Sequence, residues 1–305
     1  MKIAIIGKFS RIYDEEQIAL SFEQLGVDVV RIRDDISVLS VIEIIRNETP
    51  DIVLYFKLDI VGSQKVLIDW LKSKGIKTVC WLFDLYRVGP RLIIIFTSPI
   101  FTSDFVFTTD GGDEEIWKRN GINHHLLRQG IYGKFTYVAE QRKKYKHDVV
   151  FVGGRNSWWG YREKVMGFLR SKYGDRFVRY GEEDTHEIRA DELNKLYSSA
   201  KIIIGDSVYS SGYWSNRIYE TIGRGGFFIH PMVEGLDKEF EPYKEFIPYN
   251  FNDFDGLKEK IDYYLIHDDE RNKIRMAGFE RCKKDYTYVN RCRDLIKIVC
   301  KEYKE

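Results

Sequence analysis

Two short stretches of this 305-residue sequence gather residue types that can grip a diphosphate. The first is Gly153-Gly154-Arg155-Asn156, which follows the apolar run 149–152 and precedes a helical pattern carrying Arg162 and Lys164. Paired glycines let a backbone approach phosphate oxygens, a helix start presents unpaired N–H groups, and arginine can hold two oxygens at once. A Gly-Gly turn after a strand is also common, and Arg162 could lie on a solvated helix face. The second stretch is Ser215-Asn216-Arg217-Ile218-Tyr219-Glu220, followed by Thr221-Ile222-Gly223-Arg224-Gly225-Gly226 and the apolar run 227–230. Arg217 and Glu220 stand three apart and share one helical face, so one ligand could meet both. The plainer alternative is an Arg–Glu pair on the surface of an amphipathic helix.

The elements that position these stretches follow from the spacing of apolar residues. Short apolar runs alternate with amphipathic segments: strands over 2–6, 28–32, 51–56 and 77–82, with helices over 14–25, 38–47 and 63–74 between them. Residues 91–96 read as helix or buried strand, 105–108 as strand and 113–120 as helix. A polar, Lys-rich interval between Gly133 and His147 lacks either periodicity and is expected to be a linker. The alternation then restarts, with strands over 148–152, 177–180, 201–205, 227–230 and 246–249. Helices are expected over 159–173, 191–199 and 215–223, then 253–267, 268–283 and 289–303. Such alternation specifies parallel sheets covered by helices, two doubly wound α/β domains in one chain. In open sheets of this kind ligands bind beyond the carboxyl ends of the strands.

The segment from Ser215 into the strand at Phe227 resembles the donor-binding helix of GT-B glycosyltransferases, especially the CgeB-like group, in which a Ser-x-Arg-x-x-Glu helix leads through glycines into a strand. The similarity continues through Glu234-Gly235-Leu236 and the region from Asp268 to Tyr288. The resemblance implies a GT-B fold, two Rossmann-like domains facing a central cleft, with C-terminal helices crossing back. It divides the chain into an acceptor-side domain (1–140), a donor domain (141–285) and a last helix (286–305). The implied activity is transfer of a sugar from a nucleotide-sugar donor, a UDP- or GDP-sugar, to an acceptor that is a glycan, lipid, protein or small molecule. Metal independence and retention of anomeric configuration are expected with it. Two alternatives stay open: a nucleotide-sugar 2-epimerase and a non-catalytic nucleotide-sugar binder.

By the same resemblance Glu220 accepts hydrogen bonds from the donor ribose hydroxyls, while Ser215, Asn216 and Arg217 contact the diphosphate. Arg155, Arg217 and Arg162 would neutralise the departing nucleotide. Asp206 and Ser207 could join this wall or simply cap a turn, and Tyr180-Gly181-Glu182 could border the base. In the first half, Trp81-Leu82-Phe83-Asp84 is similar to the family's Trp-x-x-Asp, which makes Asp84 the acidic candidate to orient an acceptor hydroxyl or take its proton. Capping of the following turn would explain Asp84 as well. The sequence departs from the wider Glu-x7-Glu pattern, since Gly212 stands eight before Glu220. His124 and His125 read as structural.

Bulk properties narrow the partners. Forty-eight Lys and Arg against forty-seven Asp and Glu give a net charge of +1, so no nucleic acid is expected as ligand. Gly7 is the single glycine in Gly7-Lys8-Phe9-Ser10-Arg11, where a dinucleotide fingerprint needs three, and this argues against a nicotinamide or flavin cofactor. The aromatic share of 15% is read as core filling before sugar stacking. Cys80, Cys282, Cys292 and Cys300 show neither disulfide-framework nor zinc spacing, so no metal site is expected and a reducing cytoplasm fits best. No run of eighteen apolar residues occurs, and neither secretion nor a transmembrane segment is expected.

Overall fold

The computed structural model describes residues 1–10, 12–58, 63–154, 160–181 and 188–301. Contacts divide the chain into two units, Met1–Tyr132 with the stretch from Tyr288 onward, and Gly133–Thr287. In the first unit β1 (Lys2–Gly7), α1 (Asp14–Gln24), β2 (Asp28–Arg33), α2 (Val38–Glu48), β3 (Ile52–Tyr55), α3 (Gln64–Ser73) and β4 (Lys77–Leu82) follow the expected alternation. Then come α4 (Leu92–Thr97), β5 (Phe105–Thr108), α5 (Glu115–Arg119) and β6 (His124–Leu126). All six strands are parallel, in the order β2-β1-β3-β4-β5-β6. β3 and β5 are buried along their whole length, as continuous apolar runs in a sheet covered on both faces must be. The ambiguous run at 91–96 is helical, and β6 is an edge strand beyond those expected.

Two of these helices start where serine side chains cap them. Ser37 Oγ accepts from Ser40 N at 3.1 Å ahead of α2, and Ser63 Oγ accepts from Val66 N at 3.4 Å ahead of α3.

The second unit repeats the scheme with β7 (Val149–Val152), α6 (Tyr161–Tyr173), β8 (Phe177–Tyr180), α7 (Ala190–Ser199), β9 (Ile202–Ile204) and α8 (Arg217–Gly223). It continues through β10 (Phe228–Pro231), β11 (Ile247–Tyr249), α9 (Phe254–Ile266) and α10 (Asp268–Asp285). Its sheet is parallel in the order β11-β10-β9-β7-β8, so the winding reverses between β7 and β9. Phe151, Met166, Leu169, Ile204, Ile229 and Leu257 are fully buried in one cluster between sheet and helices. The interval 133–147 belongs to this unit and is held by α7. Asn194 Nδ2 donates to the carbonyls of Phe135 and Tyr137, each at 2.8 Å. Ser198 Oγ and Ser199 Oγ accept from Ala139 N and Arg142 N, also at 2.8 Å.

The last helix, α11 (Tyr288–Lys301), belongs to the first unit. Its buried stripe Tyr288, Cys292, Leu295 and Val299 recurs at helical spacing. Tyr288 donates its hydroxyl to Asp14 Oδ1 at 2.8 Å, and Cys292 Sγ points at the Ile18 carbonyl at 3.8 Å, which docks the helix on α1. The four cysteines are free thiols. Among the described residues no helix is long and apolar enough to cross a membrane.

Candidate functional site

The reversal between β7 and β9 brings the two loops that leave these strands side by side, and charged groups from three further elements converge there. Asp206, two residues past β9, is 7% exposed. Its Oδ2 accepts from Arg162 Nε of α6 at 2.7 Å, and its Oδ1 accepts from Arg217 Nη1 at the start of α8. Burial pushes the Asp206 carboxyl up, but the two guanidiniums outweigh it and hold the group below the usual carboxylate range. Arg162 Nη1 also donates to the Gly154 carbonyl at 2.8 Å, and Arg217 Nε to the Val152 carbonyl at 3.1 Å.

A third guanidinium completes the cluster. Arg179 of β8 donates from Nε to the Gly153 carbonyl at 3.1 Å and from Nη2 to the Gly154 carbonyl at 2.8 Å. It also pairs with both carboxylate oxygens of Glu163, at 3.1 and 3.2 Å. The guanidiniums of Arg217, Arg162 and Arg179 surround the buried Phe151 ring at 5.0, 5.6 and 5.6 Å from its centroid. Among the described residues, three guanidiniums and two carboxylates gather beside the Gly153-Gly154 backbone.

That backbone is tightly enclosed. A Cβ at Gly153 would lie 2.9 Å from Phe151 Cε1 and 3.1 Å from Arg217 Nη2. Gly181 has φ +94°, and a Cβ there would come within 3.1 Å of the Gly153 carbonyl carbon. Glycine at both places lets the β7 and β8 loops touch, and Gly153 N donates to the Tyr180 carbonyl at 2.8 Å.

Arg217 and Glu220 enter different networks and do not pair with each other. Glu220 Oε2 accepts instead from Arg224 Nε, at 2.7 Å. Nearby, Ser207 Oγ, Ser215 Oγ and Asn216 Oδ1 are buried atoms with no hydrogen-bond partner among the described residues. Unsatisfied buried polar atoms are costly, and a ligand with both donors and acceptors can complete them.

The remaining candidates are more scattered. Arg155 lies outside the described residues, as do Asn156 and Glu182. Tyr180 reaches the Gly153 loop by its carbonyl only, because its phenol is bonded to His147 Nε2 at 2.9 Å. In the first unit Asp84 is about one-third exposed and is paired with Arg91 Nη1 at 2.9 Å and Lys57 Nζ at 3.6 Å. Trp81 is fully buried and donates Nε1–H to the Leu127 carbonyl at 2.9 Å. His124 stacks on Trp117 with ring centroids 4.5 Å apart, and burial pushes its imidazole down to about 3. His230, fully buried at the end of β10, donates Nδ1–H to the Pro231 carbonyl at 2.8 Å and is pushed down by burial to about 4. Arg179 and Arg224 are the site residues that sequence reasoning passed over. The available signals were an arginine inside the strand run Phe177-Val178-Arg179-Tyr180 and another between Gly223 and Gly225. Among the described residues no group of three or more His, Cys, Asp and Glu is placed to hold a metal ion.

A family model described as glycosyl transferase-like matches residues 139–297. Solved structures similar over nearly the whole chain include a glycosyltransferase from Rickettsia africae, at 12% identity and TM-score 0.65, with 97% of each chain covered. The sucrose-phosphate synthase of Thermosynechococcus elongatus matches at 13% identity and TM-score 0.69, with 99% of each chain covered. Anabaena HepE, solved in complex with UDP-glucose, matches at 11% identity and TM-score 0.69, covering 99% of this chain and 100% of its own. These likenesses establish the GT-B fold. No curated protein sequence matches the chain.

Proposed function

The chain belongs to the glycosyl transferase-like family, and from that premise we propose that its second unit binds a nucleoside-diphosphate sugar and that the enzyme transfers the sugar to an acceptor. The Arg162–Asp206–Arg217 cluster beside Gly153 and Gly154, in which two guanidiniums share one buried carboxylate, carries this reading. The diphosphate lies along the glycine backbone, where Arg162 and Arg217 neutralise it and Ser207, Ser215 and Asn216 gain the partners they lack. Glu220 accepts from the ribose hydroxyls.

When the bond between the sugar and the β-phosphate oxygen breaks, negative charge grows on that oxygen. Cations already fixed by Asp206 and by backbone carbonyls need no reorganisation to meet it, which lowers the barrier. Transfer on this reading is independent of metal and retains anomeric configuration. Asp84 of the first unit orients the acceptor hydroxyl, its carboxylate set by Arg91 and Lys57.

A thermal-shift panel of UDP-, GDP- and ADP-sugars tests donor binding, starting from UDP-glucose because that is the sugar nucleotide in the HepE complex. A donor at a hundred times its Kd stabilises the native state by about 2.7 kcal/mol. Arg217→Ala is expected to abolish the shift, and absence of any shift across the panel overturns the reading. Labelled donor with a mixed acceptor pool, in the presence of EDTA, then separates transfer from epimerisation and from binding without turnover.

A further inference from the structure

Arg224 immediately follows α8 and is 3% exposed. Its guanidinium is held through Nε, Nη1 and one face. Nη1 donates to the Ala190 carbonyl at 3.0 Å and to Asn194 Oδ1, and the plane lies over the Phe135 ring at 4.3 Å from the centroid. Asn194 is in turn fully buried and fixed, because both its amide protons go to the carbonyls of Phe135 and Tyr137. The Nε of the fork is directed at Glu220 Oε2.

The consequence falls on Glu220. A glutamate on a short helix has three side-chain torsions to lose before it can serve as an acceptor, and a salt bridge from a mobile partner would not fix them. Here the partner is buried, planar and itself clamped. One oxygen is held, and for Oε1 no partner occurs among the described residues.

We infer that Arg224 is a positioning residue that presents Glu220 Oε1 to the ribose of the nucleotide, and so makes the site selective for ribonucleotides over deoxyribonucleotides. The inference rests on the reading that Glu220 faces the donor ribose. Arg224 itself touches no ligand. Its effect is on the ability of Glu220 to distinguish a hydroxyl from a hydrogen, because a carboxylate that is not held can turn away when the hydroxyl is absent or bind it with a larger entropic cost.

Calorimetric titration of UDP and 2′-deoxy-UDP into the full chain tests this. The wild type is expected to bind UDP about tenfold more tightly than 2′-deoxy-UDP, as a hydrogen bond to a charged acceptor would give. Arg224→Met is expected to bring that ratio close to one, as is Glu220→Gln. Arg224→Lys keeps a charge near Glu220 without the planar fork and is expected to fall between, which also covers failure of the methionine variant to fold. A structural role alone would weaken both nucleotides equally and keep the ratio. An unchanged ratio in Arg224→Lys and Arg224→Met overturns the inference, as does a wild type that binds both nucleotides equally. If the sugar-nucleotide panel selects another base, that nucleoside diphosphate and its 2′-deoxy form replace UDP in the titration; a wild type that binds no member of the panel overturns the donor-site reading itself, which separates the two failures.

Discussion

Arg162 donates from Nε to Asp206 Oδ2 across 2.7 Å and thereby ties the first turn of α6 to the carboxyl end of β9. Because Arg217 uses the other oxygen of the same carboxylate, one buried acid sets the geometry of two cations. Removing the acid leaves both guanidiniums largely buried with their main counter-charge gone. Asp206→Ala is expected to lose about 3 kcal/mol of unfolding free energy, measured by urea denaturation. A loss under about 0.5 kcal/mol, the range of an ordinary surface change, would mean that water already screens the cluster.

The contact of the β7 and β8 loops gives a second test. Gly181→Ala puts a methyl group against the Gly153 and Gly154 backbone, at 3.1 and 3.3 Å, in a residue with φ +94°. Neither backbone atom can swing aside as a side chain could. A loss of about 2 kcal/mol is expected from the left-handed conformation and the contact together. The UDP-glucose thermal shift should shrink with it, and full retention of both would show that the loops separate freely.

His230 makes stability depend on pH with a definite sign. Burial lowers its imidazole to about 4 from an ordinary 6.5, so the folded chain keeps it neutral while the unfolded chain takes up a proton. The unfolded state therefore binds more protons between these values, and stability falls as pH drops through that window. The loss approaches about 2.5 kcal/mol by pH 4.5, because each pH unit inside the window costs about 1.4 kcal/mol. Carboxylates such as Asp206 titrate in the same direction, so the useful quantity is the difference between wild type and His230→Phe. The variant should show a shallower fall in unfolding free energy between pH 7 and pH 4.5; parallel curves would remove His230 from the account.

The thiols should separate by burial. Cys300 is exposed, whereas Cys80, Cys282 and Cys292 are buried, and burial pushes the Cys80 and Cys292 thiols far up. Reaction with an aromatic disulfide reagent at pH 8 should modify Cys300 rapidly under native conditions and all four cysteines in denaturant. Rapid modification of Cys292 would mean that α11 leaves α1 readily.

How far the sequence could be read depended on whether the signal was local. The fully buried strands announce themselves as continuous apolar runs, and α2 and α3 as apolar stripes after a capping serine. β6 does not, because His124-His125-Leu126 is three residues long and takes its place only by pairing with β5. Asp206 could not be told from a turn cap, since both cations that define it come from other elements, 44 residues before and 11 after. Arg224 stands between Gly223 and Gly225, and part of what holds it, Asn194, lies thirty residues earlier. The interval 133–147 reads as a linker because its order comes from α7 side chains bonding its backbone, which leaves no apolar period.

The first unit is discontinuous along the chain. Its strands β1 to β6 and helices α1 to α5 are all translated before Tyr132, yet the helix that covers Ile18 is the last described element to be made. On the ribosome the second unit, continuous from Gly133 to Thr287, can close while the α1 face awaiting Tyr288 and Cys292 is still uncovered. Such late closure of a sequence-distant contact is slow and leaves apolar surface accessible in the meantime. The emergence of α11 sets the moment at which the first unit becomes a finished domain.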